Sequence, residues 1–515
     1  MSSPMDRRHL LRVGGAFSML GVGAPFALQL AAAGSAAGQS APDYRALVCI
    51  FLFGGNDSNN MVLATDTDSW GRYFAIRNTG ADPIALMPVG TAPTPVGQTS
   101  SVTGRVAALG TPEAWGGVLP ITPRTAQAIP AGTNATSRTF ALHPFLGSLQ
   151  GLFNQGRLAV VANVGTLVQP TTKTQYQTRS VPVPTSLFSH NDQQSTWQAL
   201  STEGARTGWG GKLADLMSSM NGSSTLFTAV STGGNAVFLS GQSVIQYQLS
   251  TGAQPAVVIT GQQGASLFGS TIAPTRVRDI ITDTSLTSNF AADYSSVVSR
   301  SINAATSVNN AFTQTIVTNV PAASAYTNPI TQRVETNTLA LQLQTVARMI
   351  ASGATLGVRR QVFFVSLGGW DTHDFQNSTQ PNLLAKVAHA MSYFDEALGN
   401  IGGIDRRSQV TTFTASDFSR TITTNGDGTD HAWGGHHLVM GGAVRGGDMY
   451  GQFPTIGADV SGFNNPDNIG GSAIPTTSVD QYGATLGRWF GASETELDLI
   501  FPRLAGFSRR NLGFV

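Results

Sequence analysis

At 515 residues the chain is long enough for a large core or for several domains. A net charge of +1, only 11% charged residues and no Lys/Arg cluster after the first dozen residues exclude the footprint that phosphate-backbone binding needs, so no nucleic acid is an expected partner. Apolar residues at 41% exclude wholesale disorder, while 58 glycines and 24 prolines predict a loop-rich, nearly neutral surface.

In chain order, residues 1 to 37 read as a targeting segment. Arg7 and Arg8 in "DRRHLLR" precede the Gly-rich apolar "VGGAFSMLGVGAPFALQLAAA" and the small-residue stretch "AAAGSAAG". This is similar to a twin-arginine export signal, which implies folding before export by the Tat machinery, a periplasmic or secreted destination and no stable membrane span after cleavage. An N-terminal anchor helix is the alternative, because the run is nearly long enough to span. The single cysteine, Cys49, lies in the apolar run "ALVCIFLF"; it excludes an intramolecular disulfide and reads as a buried thiol.

Residues 38 to 515 read as one α/β domain. Four continuous apolar runs are predicted as strands buried on both faces, the pattern of a mostly parallel sheet covered by helices. They are "RALVCIFLFGG" (45 to 55), "GRLAVVANVG" (156 to 165), "RQVFFVSLGG" (360 to 369) and "SQVTTFTAS" (408 to 416), with "TLFTAV" (225 to 230) weaker. Residues 80 to 140 and 165 to 200 lack periodicity and are predicted as long loops. The Ser/Thr/Asn-rich stretch 218 to 335 reads as a polar insertion or cap, with "AVFLSG" and "AVVIT" as short strands and "SNFAADYSSVVSRSINAATSVNNAF" as a helix. Two amphipathic helices flank the third strand: Leu339, Leu343, Val346 and Ile350 share one face of the first, and Leu384, Val387, Met391, Phe394 and Leu398 share one face of the second.

Polar clusters follow these strands, where ligands gather in an open parallel sheet. "GGNDSNN" brings Asp57 and Ser58, "GGWDTHDFQ" brings Asp371 and His373, and "SDFSRT" with "GTDHAWGGHH" brings Asp417, Arg420, Asp430, His431, His436 and His437. Carboxylates and neutral imidazoles without cysteine suit one or two divalent cations of the Zn, Mn, Mg, Ca or Fe kind. Two fit the ligand count better, because a pair about 4 Å apart offsets repulsion among neighbouring carboxylates.

The motifs "FLFGGNDSNN", "GGWDTH", "SDFSRT", "TDHAWGGHHLVMGGAVRGG" and "IPTTSVDQYGATLGRWFG" closely resemble the exported domain-of-unknown-function family 1501 (DUF1501), assigned to the alkaline phosphatase and sulfatase superfamily. The resemblance runs over most of residues 45 to 515; the stretch 218 to 335 carries none of the motifs. It implies an alkaline phosphatase-like α/β fold and a bacterial, metal-dependent hydrolase of phosphate or sulfate esters with a metal-activated nucleophile. Carried over, Asp57 is the first-strand metal ligand, Asp371 and His373 are a second pair, and Asp417 is the carboxylate of a Ser-Asp-His motif. Phe418 stands where that motif has histidine, so His431 or His436 supplies the imidazole. Ser58 or a water is the candidate nucleophile, and Arg420 a candidate clamp for the transferred anion. Cys49 is not in a Cys-x-Pro-x-Arg context, so a formylglycine sulfatase is not implied.

Each residue also has a plainer role. Asp371 and Asp417 fit helix caps, Ser58 fits turn chemistry in "NDSNN", and Arg420 fits an ion pair that orients a loop. His436 and His437 face opposite sides of a strand, so only one of them can enter a given site. His190 and Asp192 in "LFSHNDQQ" have two readings, a border of the same cleft and an ordinary loop role, of which the loop role is preferred; His143 reads as structural. The alternative function is a non-catalytic exported binding or surface-assembly protein that keeps the fold.

Overall fold

The structure is a computed structural model that describes residues 44–130, 133–222, 225–253, 255–256, 266–460 and 463–515. The expected export segment, residues 1–37, lies outside them. Among the described residues nine strands form the main sheet: β1 (Arg45–Leu52), β2 (Leu158–Gly165), β3 (Ala229–Ser231), β4 (Tyr247–Gln248), β5 (Arg360–Leu367), β6 (Val410–Ser416), β7 (Gly435–Met440), β8 (Met449–Tyr450) and β9 (Thr477–Ser478). Their order is β8-β2-β7-β6-β1-β5-β3-β4, with β9 also beside β2. β7 is antiparallel to both neighbours, and every other pairing is parallel.

Two-sided burial explains why the central strands read as unbroken apolar runs. Ala46, Val48, Ile50 and Leu52 of β1 join one core, and Leu47, Cys49 and Phe51 join the other. The first core is closed by the helices Thr338–Ala351 and Gln376–Leu398, the second by Trp209–Met217 and Val479–Phe490. Burial pushes the Cys49 thiol well above its ordinary pKa, which keeps it protonated and inert. Among the described residues no helix is long and apolar enough to cross a membrane.

Two stretches differ from the sequence reading. Residues 218–335 contribute β3, which overlaps the weaker run at 225 to 230, and β4 to the sheet edge; the expected strand "AVFLSG" is a 3-10 turn at Val237–Leu239, "AVVIT" lies mostly outside the described residues, and α-helices follow at Ala273–Ile281, Asn289–Phe312 and Thr315–Thr318. Within 165–200 a helix runs over His190–Ala199, capped by the Ser189 hydroxyl, which accepts from the Asp192 amide. Its buried face includes Gln193, Thr196 and Gln198, so the sequence lacks the apolar periodicity that announces a helix.

Candidate functional site

The order β5-β1-β6 sets three parallel strands side by side, so the chain beyond Leu367, Leu52 and Ser416 converges at one edge. Gly54, at φ +118°, lies against the β5 loop: a Cβ there would stand 2.5 Å from the Asp371 amide nitrogen. Gly55 lies equally close to the Phe418 ring. Glycine is required because the two loops touch backbone to backbone.

Asp371, His190 and His431 meet at this edge, with one ligand atom from each inside a 4.8 Å sphere of mutual distances. His190 Nε2 is 3.5 Å from Asp371 Oδ2, and His431 Nε2 is 3.4 Å from Asp371 Oδ1. Hydrogen bonds fix both ring orientations. His190 Nδ1 lies 2.7 Å from the fully buried Asp417 carboxylate, and His431 Nδ1 donates to the Phe188 carbonyl at 2.7 Å. A carbonyl or carboxylate only accepts, so each Nδ1 carries a proton and each neutral ring keeps its lone pair on Nε2. The His190 Nε2 atom is buried and has no hydrogen-bond partner. Phe418 packs on both rings, at 4.8 Å from His190 and 4.4 Å from His431.

His373 completes the mouth. Its Nε2 is 2.9 Å from His431 Nε2 and 3.3 Å from Asp371 Oδ1, and its Nδ1 is 3.3 Å from the exposed Asp430 carboxylate. The hydrogen bond to Asp417, with the charges of Asp417 and Asp371, raises the His190 pKa. Burial lowers that of His431. Burial acts to raise the Asp371 carboxyl, but the Arg420 hydrogen bond and charge, with His190 and His373, outweigh it and hold the group below the usual range.

Other residues expected at the site are engaged elsewhere. The Asp57 carboxylate, fully buried, is gripped by both terminal nitrogens of Arg77 and also accepts from Gln376 Nε2 at 2.7 Å and the Asn59 amide at 3.1 Å. It caps the short helix Ser58–Met61 and has no open lone pair for a metal. The Ser58 hydroxyl is buried against Ser419 Oγ at 2.8 Å, a pairing that removes it as an open nucleophile. Arg420 is buried too: Nε donates to the Gly55 carbonyl, Nη1 to the Thr429 carbonyl, and Nη2 to the Gly54 carbonyl and Asp371. It ties loops together and offers no free edge to an anion. His436 lies in the core, stacked on Phe453 at 4.3 Å with Nδ1 accepting from the Asn163 amide, because β7 turns it away from the Asp371 cluster. Asp417 stands behind His190 and holds it through Oδ2, which also accepts from Gln194 Nε2 and the Gly54 amide.

His190 is the site residue that sequence reasoning set no nearer than the border of the cleft, with a loop role preferred. Its one signal was Ser189, an N-cap residue placing the histidine at the first turn of a helix. Away from this edge a hydroxyl–imidazole pair, Ser324 Oγ and His389 Nε2 at 3.1 Å, is oriented by Asn337. Asn337 Oδ1 accepts from the Ala340 amide and Nδ2 donates to the Lys386 carbonyl, so its NH2 faces His389 Nδ1. His389 therefore carries its proton on Nε2, the wrong tautomer for accepting one from Ser324.

These features define a mixed α/β protein with a large, mostly parallel sheet and a His/Asp cluster beyond its strand ends. The chain belongs to the DUF1501 family, described as a protein of unknown function, which matches residues 44–500. No curated protein matches it. Two solved structures are distantly similar: "Crystal structure of Ps i-CgsB" (TM-score 0.29, 10% identity, 69% of this chain and 70% of that chain) and "Crystal structure of Ps i-CgsB in complex with k-i-k-neocarrahexaose" (0.27, 10%, 70% and 70%). Likeness this remote carries no argument about function.

Proposed function

We propose that His190, Asp371 and His431 hold one divalent cation and that the site hydrolyses a phosphate or sulfate ester, in an exported chain of alkaline phosphatase-like fold. The observation that carries the reading is the pair of imidazoles whose Nδ1 atoms are tied from behind, leaving Nε2 of each beside one carboxylate. Outer hydrogen bonds of this kind orient metal-binding histidines, and the unpartnered His190 Nε2 is an atom that a cation would satisfy. Two imidazoles in the donor set favour Zn, Fe or Mn over Mg or Ca. A cation bound there supplies Lewis acidity toward an ester oxygen. Asp417 and the Phe188 carbonyl keep the rings in place, and Arg420 aims Asp371. Half-exposed His373, beside Asp430, is placed to carry a proton between the site and solvent.

The reading of a non-catalytic binding protein is supported by one observation, that the Ser58 hydroxyl and the Arg420 guanidinium are both buried and engaged. A panel of chromogenic phosphate and sulfate esters with Zn, Mn or Fe separates the two. Hydrolysis is expected to need one of these cations and to fall at least 100-fold in Asp371→Asn. Cation binding with no turnover on any ester would support the binding protein instead.

A further inference from the structure

One carboxylate and three carbonyl oxygens gather at a second place beside the same strand ends, around Asp57, and there the chain brings its own cation. Arg77 and Asp57 have no exposed side-chain surface. All three guanidinium nitrogens are engaged: Nη1 with Asp57 Oδ2 at 2.5 Å and Asn60 Oδ1 at 2.6 Å, Nη2 with Asp57 Oδ1 at 3.0 Å and the Thr421 carbonyl at 2.7 Å, and Nε with the Ile422 carbonyl at 3.0 Å. All five contacts are to oxygens of the kind that ligate hard cations, and they come from both sides: Asp57 and Asn60 after β1, Thr421 and Ile422 after β6. The same device recurs at the surface. Lys173 Nζ sits among Asp459 Oδ1 and Oδ2, Asn464 Oδ1 and the Asn465 carbonyl, at 2.6 to 3.0 Å. At the His190 cluster Arg420 reaches only the Asp371 carboxylate, through Nη2, its other hydrogen bonds going to the Gly54, Gly55 and Thr429 carbonyls, and the His190 Nε2 atom keeps no hydrogen-bond partner.

We infer that Arg77 is a tethered cation standing in for a metal ion at Asp57, so that the strand-end cluster takes one divalent cation rather than two. This rests on the reading that the His190 cluster holds one. The geometry gives a reason for the substitution: a guanidinium fork meets a buried carboxylate bidentately without titrating, and being covalently attached it cannot be lost by dilution. It also accounts for the Asp57 carboxylate facing inward, toward Gln376 and Arg77, where no ligand exchange is possible.

Equilibrium dialysis of the full chain against Mn and Zn, followed by metal analysis, tests this with wild type, Asp57→Asn, Arg77→Met and the double variant. Wild type is expected to bind one equivalent, with affinity changed less than threefold by Asp57→Asn. Arg77→Met is expected to lose thermal stability, to gain one further equivalent of Mn, and to recover melting temperature as Mn is added; the double variant loses that extra equivalent. Should Arg77→Met fold only with cation, recovery of its far-UV circular dichroism on adding Mn reads the same gain. Two equivalents in wild type, a tenfold loss of affinity in a folded Asp57→Asn chain, or an Arg77→Met chain that is neither loaded nor stabilised by Mn each overturn the inference. Its failure is distinguishable from failure of the His190 reading, in which wild type binds nothing yet the Arg77→Met gain persists.

Discussion

Arg420→Met is expected to lower the stability of the chain by about 3 kcal/mol, chiefly because it leaves the three carbonyls that the buried guanidinium serves without a donor at about 1 kcal/mol each, the half-exposed Asp371 adding little. The side chain holds three segments at once: the Gly54 and Gly55 carbonyls after β1, Thr429 in the loop before His431, and Asp371 after β5. Removing it leaves carbonyls without donors and frees Asp371, whose other neighbours are His190, His373 and His431. Arg420→Lys keeps the charge but not the planar fork, and is expected to recover only part of the loss. Urea denaturation of the three proteins at one pH gives the numbers, and a change below about 1 kcal/mol in the methionine variant would show that the loops hold without it.

Acid is expected to destabilise this chain through its core histidines. His143, His436 and His437 are buried among apolar groups, and burial above all pushes each pKa down to about 3. His143 Nδ1 accepts from the Phe145 amide and His436 Nδ1 from the Asn163 amide, while His437 packs against the Trp197 ring. The native rings are neutral, whereas the unfolded chain titrates near the ordinary 6.5. The sign follows: these groups cost nothing above about pH 6.5, and as pH falls below it the unfolded state takes up protons that the native state refuses. The loss continues down to about pH 3, at roughly 1 kcal/mol per histidine per pH unit. Between pH 7.5 and pH 5 the three together are expected to remove on the order of 5 kcal/mol, seen as a falling urea midpoint. His436→Asn, which keeps an acceptor near the Asn163 amide, should flatten part of that slope. A midpoint independent of pH over this range would contradict the buried, neutral assignment.

The strands were legible because two-sided burial writes itself as unbroken apolar sequence. β1, β2, β5 and β6 appear where their runs stand, shortened only by the glycines and polar residues that end them. β3 overlaps the weaker run at 225 to 230, whereas β4 is too short to carry a period, so the stretch holding both looked like an insertion. At the site, Asp371, His373 and His431 were legible from their place after strands, and Asp417 from its motif. The errors share one cause. Sequence shows which side chains lie near a strand end, but not which partner reaches them first: Arg77, 20 residues downstream of Asp57, takes that carboxylate, and Ser419 takes the Ser58 hydroxyl. His436 and His437 were correctly expected to diverge, yet β7 buries both. His190 comes from a helix with a polar buried face, which no periodicity announces.

Metal analysis of the full-length chain after dialysis against Zn or Mn tests the central claim most directly, with wild type beside a His190→Ala/His431→Ala double variant shown by circular dichroism to be folded. About one equivalent per wild-type chain and none in the variant is the expected result. A wild-type chain that takes up no cation, or a folded variant that still takes up a full equivalent, would contradict it.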